Sequence, residues 1–220
     1  MTEFNKDFKK IRLRSFFLNR EKKSEKTEKK EDFDKKLEEV GMEYIQMKLS
    51  LKNITPEYES EIKKKVENNL LNAKIRRASE NDLNTTVEIY NRSWLTSNEP
   101  FAPLSHESIK VLFDDPDIVI LIAKVYGIDA GFIIIDIEGK RKEYGVIAGL
   151  AVIPRFQRKG LGKILGLAGW NYLKNKGIKE LRCEVYPDNK VSYNFIKSLG
   201  FEEFDRKYYT AENFLRTNKT

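Results

Sequence analysis

One short stretch brings together residue types that can hold a phosphate-rich ligand. The apolar run Gly149-Leu150-Ala151-Val152-Ile153 ends at Pro154, which has no N–H with which to extend a strand ladder. Arg155-Phe156-Gln157-Arg158-Lys159-Gly160-Leu161-Gly162-Lys163 follows and opens an apolar, helix-forming segment. Gly160 and Gly162 let the backbone come close to a ligand. The N–H groups of a helix start and the positive end of its dipole suit a pyrophosphate, and Arg158, Lys159 and Lys163 add charge at the same place. The third glycine of the dinucleotide fingerprint is absent, and no G-K-[ST] is present, so neither a dinucleotide fold nor an NTPase P-loop fits. Taken alone, the same residues also describe an ordinary strand–loop–helix junction with surface lysines.

A second block lies downstream. Leu181-Arg182-Cys183-Glu184-Val185-Tyr186-Pro187-Asp188-Asn189 reads as a strand leading into a helix, with Phe195 and Leu199-Gly200-Phe201 beyond it. Gln157-Arg158-Lys159-Gly160-Leu161-Gly162, after an apolar strand, matches the pattern [QR]-x-x-G-x-[GA] of the GNAT acetyltransferase superfamily. With the second block in the same order and spacing, the chain from Ala73 to Thr210 resembles that superfamily. The resemblance implies an α/β fold (an α+β mixed sheet) of the acyl-CoA N-acyltransferase type. It also implies an enzyme that moves an acetyl group from acetyl-CoA to a primary amine by direct attack in a ternary complex. The backbone of Leu150, Ala151 and Val152 would pair with the pantetheine arm, between two central parallel strands. The N–H groups of Gln157, Arg158, Lys159, Gly160, Leu161, Gly162 and Lys163 would hold the pyrophosphate. Asn189 would meet the cofactor arm from its helix start, and Tyr193 would line the thiol end. Asn189 is equally a good N-cap, and Tyr193 is equally a core residue.

Acetyl transfer needs a neutral amine, a polarised thioester carbonyl and a proton for the departing thiolate. In relatives a Glu on the fourth strand acts as base and a Tyr seven residues after the Asn acts as acid. Here those places hold Ala148 and Ile196. Three readings stand. Catalysis can rest mainly on holding the reactants together, which supplies roughly 7–11 kcal/mol in favourable cases. Other groups can substitute: Tyr186 and Tyr193 for the acid, and Glu184, or Asp136 and Glu143 on neighbouring strands, for the base. In the third reading the domain binds CoA without catalysing much. His106 falls in a region that shapes the acceptor site in relatives, but reads more simply as an exposed first-turn helix residue after the cap Ser105. Cys183 reads as core packing.

These residues need elements to position them. Residues 44–51 alternate apolar and polar as a strand does, and Thr55-Pro56-Glu57 starts a helix; the two make a small appended βα unit over 41–72. From Ala73 the pattern predicts a mixed α/β domain, which the resemblance makes the GNAT acetyltransferase domain over 73–212. It has a short strand at 74–78, a helix capped by Ser79-Glu80-Asn81-Asp82, a helix near 106–113 and a strand at 118–126. A turn at 127–129 and a strand at 130–137 follow, then a strand at 146–153 and a helix at 161–176. A strand at 180–186, a helix at 189–199 and a final strand at 201–210 close the domain. The loop from Asn91 to Phe101 is read as the acceptor loop. Residues 213–220 form a tail.

The surplus charge sits at the front. The chain has 220 residues, a net charge of +7 and 34% charged residues, and residues 20–30 contain no apolar side chain. Residues 1–40 therefore read as a basic, flexible arm, compatible with a weak contact to nucleic acid or an anionic surface. One cysteine and one histidine exclude an intrachain disulfide and a zinc cluster, so no metal is expected. No apolar run approaches the ~20 residues of a membrane span, and the expectation is a soluble, cytoplasmic protein that is not transmembrane. Expected partners are the amine acceptor (a protein lysine, a protein N-terminus or a small molecule) and a second copy in a homodimer. The alternative function is a CoA-binding regulatory or nucleic-acid or membrane-docking module with a degenerate catalytic site.

Overall fold

The computed structural model describes residues 42–50, 54–57, 60, 61, 64, 71–94 and 104–209. The basic arm, residues 95–101 of the acceptor loop and the C-terminal tail lie outside the described residues. The chain divides into two compact units, one made of Leu49–Thr96 and Ser105–Arg182, the other of Met1–Lys48, Ser97–Leu104 and Cys183–Thr220.

The first unit carries four strands in the order β2-β3-β4-β5, each antiparallel to the next. They are β2 Lys74–Arg77, β3 Ile118–Val125, β4 Ile128–Glu138 and β5 Tyr144–Val152. β3 and β4 are near-continuous apolar runs rather than alternating ones, as strands covered on both faces require; Ile133, Ile134 and Ile135 are all fully buried. They are covered by α1 Leu83–Trp94 and α3 Leu161–Lys174, which both pack on β4 and β5. α3 lies close: a Cβ on Gly169 would stand 2.9 Å from Ile135 Cδ1 and 3.0 Å from Ile133 Cδ1. α2 His106–Asp114 packs on α1 and β3.

The β3–β4 turn is shorter than the sequence predicts. Tyr126 (φ 49°) and Gly127 (φ 82°) form a two-residue turn with positive φ at both positions, and Val125 pairs with Ile128. The second strand therefore begins at Ile128 and not at residue 130. Gly177 (φ 71°) ends α3 as expected, with the Ile178 N–H donating to the Leu173 carbonyl at 3.2 Å.

The remaining strands run in the order β6-β1-β7, with β1 Met42–Ser50, β6 Glu180–Val185 and β7 Glu202–Tyr209. α4 Lys190–Ser198 precedes β7. β1, the strand of the appended βα unit, is thus a middle strand with a neighbour on each side. It runs antiparallel to β7 from Met42↔Tyr209 to Lys48↔Glu202, and Met42, Tyr44, Ile45, Gln46, Met47 and Leu49 are buried. Pro56 and Glu57 are helical, as the Thr55-Pro56-Glu57 start predicts.

The start of α1 is tied to the sheet by charge. The Asp82 carboxylate accepts from the Ser79 backbone N–H and hydroxyl, both at 2.7 Å, and from both terminal nitrogens of Arg76 at 2.7 and 2.8 Å. Arg76 also reaches Asp129 at 3.0 Å. The Arg76 hydrogen bonds, against the opposing effect of burial, hold the Asp82 carboxyl far below the ordinary carboxylate range. A carboxylate whose pKa falls on folding stabilises the fold above its unfolded value, about 3.9, and loses that contribution as pH drops through the folded value. Asp82→Asn is expected to cost about 1–2 kcal/mol at pH 7, lowering the melting midpoint by roughly 2–8 °C. Melting curves at pH 7 and pH 3 should show the gap between the two proteins narrowing at the acidic end.

Candidate functional site

The site is built first from the register of two strands. β5 pairs with β4 through Gly149↔Ile134 and Ile147↔Ile135, so Ala148 is an extra residue in a β-bulge. Bulges kink a strand and re-aim its backbone, and they gather beside active sites. Gly149 was the available sequence signal, since glycine inside a strand marks a bulge or a close approach. Beyond the bulge the strands close up again: a Cβ on Gly131 would stand 2.7 Å from the Ala151 carbonyl oxygen and 3.0 Å from Leu165 Cδ1. The Ile153 N–H donates to the Ala130 carbonyl at 2.9 Å, carrying the pairing to the end of β5.

After β5 the chain turns through a 3-10 segment, Pro154–Phe156, and its Phe156 is buried. Arg155 and Lys159 lie over the Phe156 ring at 5.5 and 5.9 Å. The Gln157 side-chain amide donates to the Val152 carbonyl at 2.9 Å, stapling the loop to the strand end. Arg158 (φ 58°) and Gly160 (φ 86°) are left-handed, which turns the chain sharply into α3 with Gly160 as N-cap. The first N–H groups of a helix have no intrahelical carbonyl to donate to; here those of Leu161 and Gly162 stand at the mouth of this turn. Arg158 and Lys159 are exposed and Lys163 is half-buried. Helix-start N–H groups with three cations next to them in the chain are a donor set that fits a diphosphate. The sequence suggests this chemistry, but the Gln157 staple and the left-handed Arg158 are visible only in the fold.

The second unit holds the remaining candidates. Asn189 is buried and caps α4, its side-chain oxygen accepting from the Ser192 N–H at 3.1 Å. Tyr193, one turn on, donates its hydroxyl to Glu203. That hydrogen bond, followed by burial and the Glu203 charge, raises the Tyr193 pKa. Glu184 is half-buried on β6, between the buried Cys183 and Val185, and accepts from the Tyr209 hydroxyl at 2.7 Å. The Tyr186 ring rests 5.8 Å from that of Tyr44. Ile196 is half-buried on α4.

Of the two other candidate carboxylates, Glu143 lies far from the end of β5. Glu143 lies not on a strand but in the turn before β5, where it accepts from the Arg141 N–H at 2.8 Å. At about 3.3 Å per residue it stands more than ~20 Å along the strand from Leu150 to Val152, too far to take a proton there. Asp136 is on β4, fully buried. His106 is exposed in the first turn of α2, its Nδ1 2.7 Å from the Asn84 side-chain oxygen. Within the acceptor loop, Asn91 to Trp94 belong to α1, and Trp94 stacks on Tyr90 at 4.3 Å. At the opposite end of β5, Tyr144 lies under the Arg182 guanidinium at 3.9 Å, and its hydroxyl donates to Glu138 at 3.3 Å. Burial, then the Glu138 charge, pushes its pKa up to about 12. No helix among the described residues is long and apolar enough to cross a membrane.

A profile of the acetyltransferase (GNAT) family matches residues 83–201, more than half of the chain. The chain belongs to the acetyltransferase (GNAT) family. It is similar to the mycothiol acetyltransferase of Renibacterium salmoninarum, 39% identical over 61 residues, 28% of this chain and 18% of that one. It is similar to the aminoglycoside N(6')-acetyltransferase type 1 of Salmonella typhimurium, 35% identical over 60 residues, 27% of this chain and 41% of that one. The chain thus spans less than half the length of these relatives. Among solved structures it resembles the PaiA N-acetyltransferase of Thermoplasma acidophilum in complex with coenzyme A, with a TM-score of 0.52 and 26% identity. That likeness covers 62% of this chain and 99% of that one.

The close approach at Gly131 gives a direct test of how β5 is held. Gly131→Ala puts a methyl group against the Ala151 carbonyl and is expected to destabilise the protein by roughly 1–3 kcal/mol, read as a lower urea midpoint with an unchanged m-value.

Proposed function

We propose that the protein is an N-acetyltransferase that takes an acetyl group from acetyl-CoA and places it on a primary amine. The observation that carries the reading is the left-handed turn at Arg158 and Gly160, which presents the start of α3 beside three cations directly after β5. Bound acetyl-CoA supplies the acetyl thioester. The backbone of Leu150, Ala151 and Val152 pairs with its pantetheine arm, and the N–H groups from Gln157 to Lys163 hold its pyrophosphate. Asn189 meets the cofactor arm, and Tyr193 lines its thiol end. The coenzyme A complex of the Thermoplasma relative supports this assignment.

Glu184 takes the proton from the attacking amine, and a tyrosine returns a proton to the departing thiolate. Of Tyr186 and Tyr193, Tyr186 is the better donor, because the Tyr193 proton is held by Glu203 and its pKa is raised. The family's usual acid and base positions hold Ile196 and Ala148, so these groups substitute for them. The acceptor is a small polyamine, an amino sugar or a protein amine; the mycothiol and aminoglycoside enzymes among its relatives favour a small molecule. The catalytic domain covers 73–212, and the protein acts in the cytoplasm.

The test is free-thiol release from acetyl-CoA with polyamines, aminoglycosides and lysine and N-terminal peptides as acceptors. Turnover on at least one amine is expected, and tight CoA binding without turnover on any of them overturns the reading. Gly160→Ala imposes a strain of about 1–2 kcal/mol at a left-handed position, so KM for acetyl-CoA should rise about tenfold. Glu184→Gln should lower kcat by roughly a hundredfold or more, as removal of a general base does.

A further inference from the structure

β1 carries a side chain that reaches the proposed chemistry from outside the family-matched residues. Tyr44 is 1% exposed. Its ring stands 5.8 Å from Tyr186, tilted by 55°, and 5.7 Å from Tyr209, edge-on at 76°. Tyr209, at the end of β7, is also 1% exposed, and the Lys207 ammonium lies over its ring at 5.4 Å. Its hydroxyl donates to Glu184 Oε1 at 2.7 Å. The register Met42↔Tyr209 and Tyr44↔Lys207 fixes why these rings meet: the start of β1 and the end of β7 are paired strand to strand. Both residues lie beyond the family match at 83–201, one before it and one after it.

A carboxylate that removes an amine proton must offer its oxygens in one orientation, yet a half-buried Glu side chain turns about three bonds. A hydroxyl hydrogen bond to one oxygen fixes the carboxylate plane and favours its charged form. That hydroxyl is itself fixed only if its ring cannot swing, and edge-to-face packing on a fully buried neighbour prevents the swing.

We propose that Tyr209 is a positioning residue for Glu184, and that Tyr44 holds the Tyr209 and Tyr186 rings in place. The proposal rests on the reading of Glu184 as the general base. In the step it serves, the amine nitrogen bonds to the acetyl carbon and the carbon–sulfur bond breaks. The amine proton goes to Glu184, and the thiolate takes a proton from Tyr186. Tyr209 keeps its own proton throughout. The N-terminal strand is then part of the catalytic architecture.

Tyr209→Phe removes one oxygen and leaves the ring in its packing. Steady-state kinetics would use acetyl-CoA and the amine that turns over fastest in the thiol-release panel, with wild type, Tyr209→Phe, Glu184→Gln and the double variant. The expected result is that Tyr209→Phe lowers kcat about tenfold and leaves KM for acetyl-CoA unchanged. In the Glu184→Gln background the same change should cost less than about twofold. An equal loss in both backgrounds, or no loss in the wild-type background, overturns the proposal. Wild-type kcat in Glu184→Gln alone overturns instead the reading of Glu184 as base. Melting curves check the fold: a Tyr209→Phe protein that melts well below wild type and loses kcat in both backgrounds counts against positioning and for a structural role.

Discussion

The shape of the backbone at the end of β5 is the constraint on which the proposed cofactor site depends. Two adjacent irregularities set it. The bulge at Ala148 shifts the register against β4, and the glycine at Gly131 then lets the two strands draw together again at Ala151. The chain leaves the strand through a segment whose only large apolar side chain, Phe156, is buried, so the loop cannot lift away without exposing an aromatic ring. Gln157 closes the turn by bonding back to Val152. With those points fixed, the positive φ at Arg158 and Gly160 turns the chain so that α3 starts beside the end of its own strand. A side chain larger than hydrogen would resist the Gly160 geometry, and Arg158 accepts it at a cost that the surrounding contacts must offset.

α3 then acts as a rigid continuation of the strand. Its buried residues Leu161, Ile164, Leu165, Trp170 and Leu173 anchor it, and the small Gly169 lets it lie against Ile133 and Ile135. Movement of the helix start would therefore have to disturb the most deeply buried part of the sheet. That is how a loop of exposed cations gains a fixed geometry: the charges are solvated, but the N–H groups they surround are carried by packed elements.

What was legible in the sequence is what local chemistry dictates. Gly160 and Gly162 after an apolar strand, Ser79 three residues before Asp82, Ser105 before His106, and Asn189 before an amphipathic helix each announce a local conformation, and each is found there. The β3–β4 turn was misplaced because Gly127-Ile128-Asp129 resembles a turn while Tyr126 gives no sign of its left-handed backbone. Pairings between distant segments were not legible. The insertion of β1 between β6 and β7 depends on hydrogen bonds to residues more than 130 positions away, and nothing in its alternating pattern says which neighbour it takes. Glu143 was misplaced for the opposite reason: its carboxylate is spent on its own turn, a local use that a count of nearby acids overlooks.

The same division explains why the chemistry is harder to read than the cofactor site. Binding a diphosphate needs backbone geometry, which a glycine pattern encodes within a few residues. Proton transfer needs a side chain held in one place by others, and for the proposed base Glu184 the neighbours are Tyr209 of β7 and, behind it, Tyr44 of β1. The usual base position holds Ala148, and a bulged alanine contributes only backbone there. The usual acid position holds Ile196, which has no proton to give. If the chain relied on proximity alone, Glu184 would need no fixed partner. Instead its carboxylate meets a hydroxyl whose ring is fully buried and braced edge-on by Tyr44. In the proposed mechanism that single bond gives the carboxylate, two residues before Tyr186 and five before Asn189, the fixed orientation that proton abstraction needs.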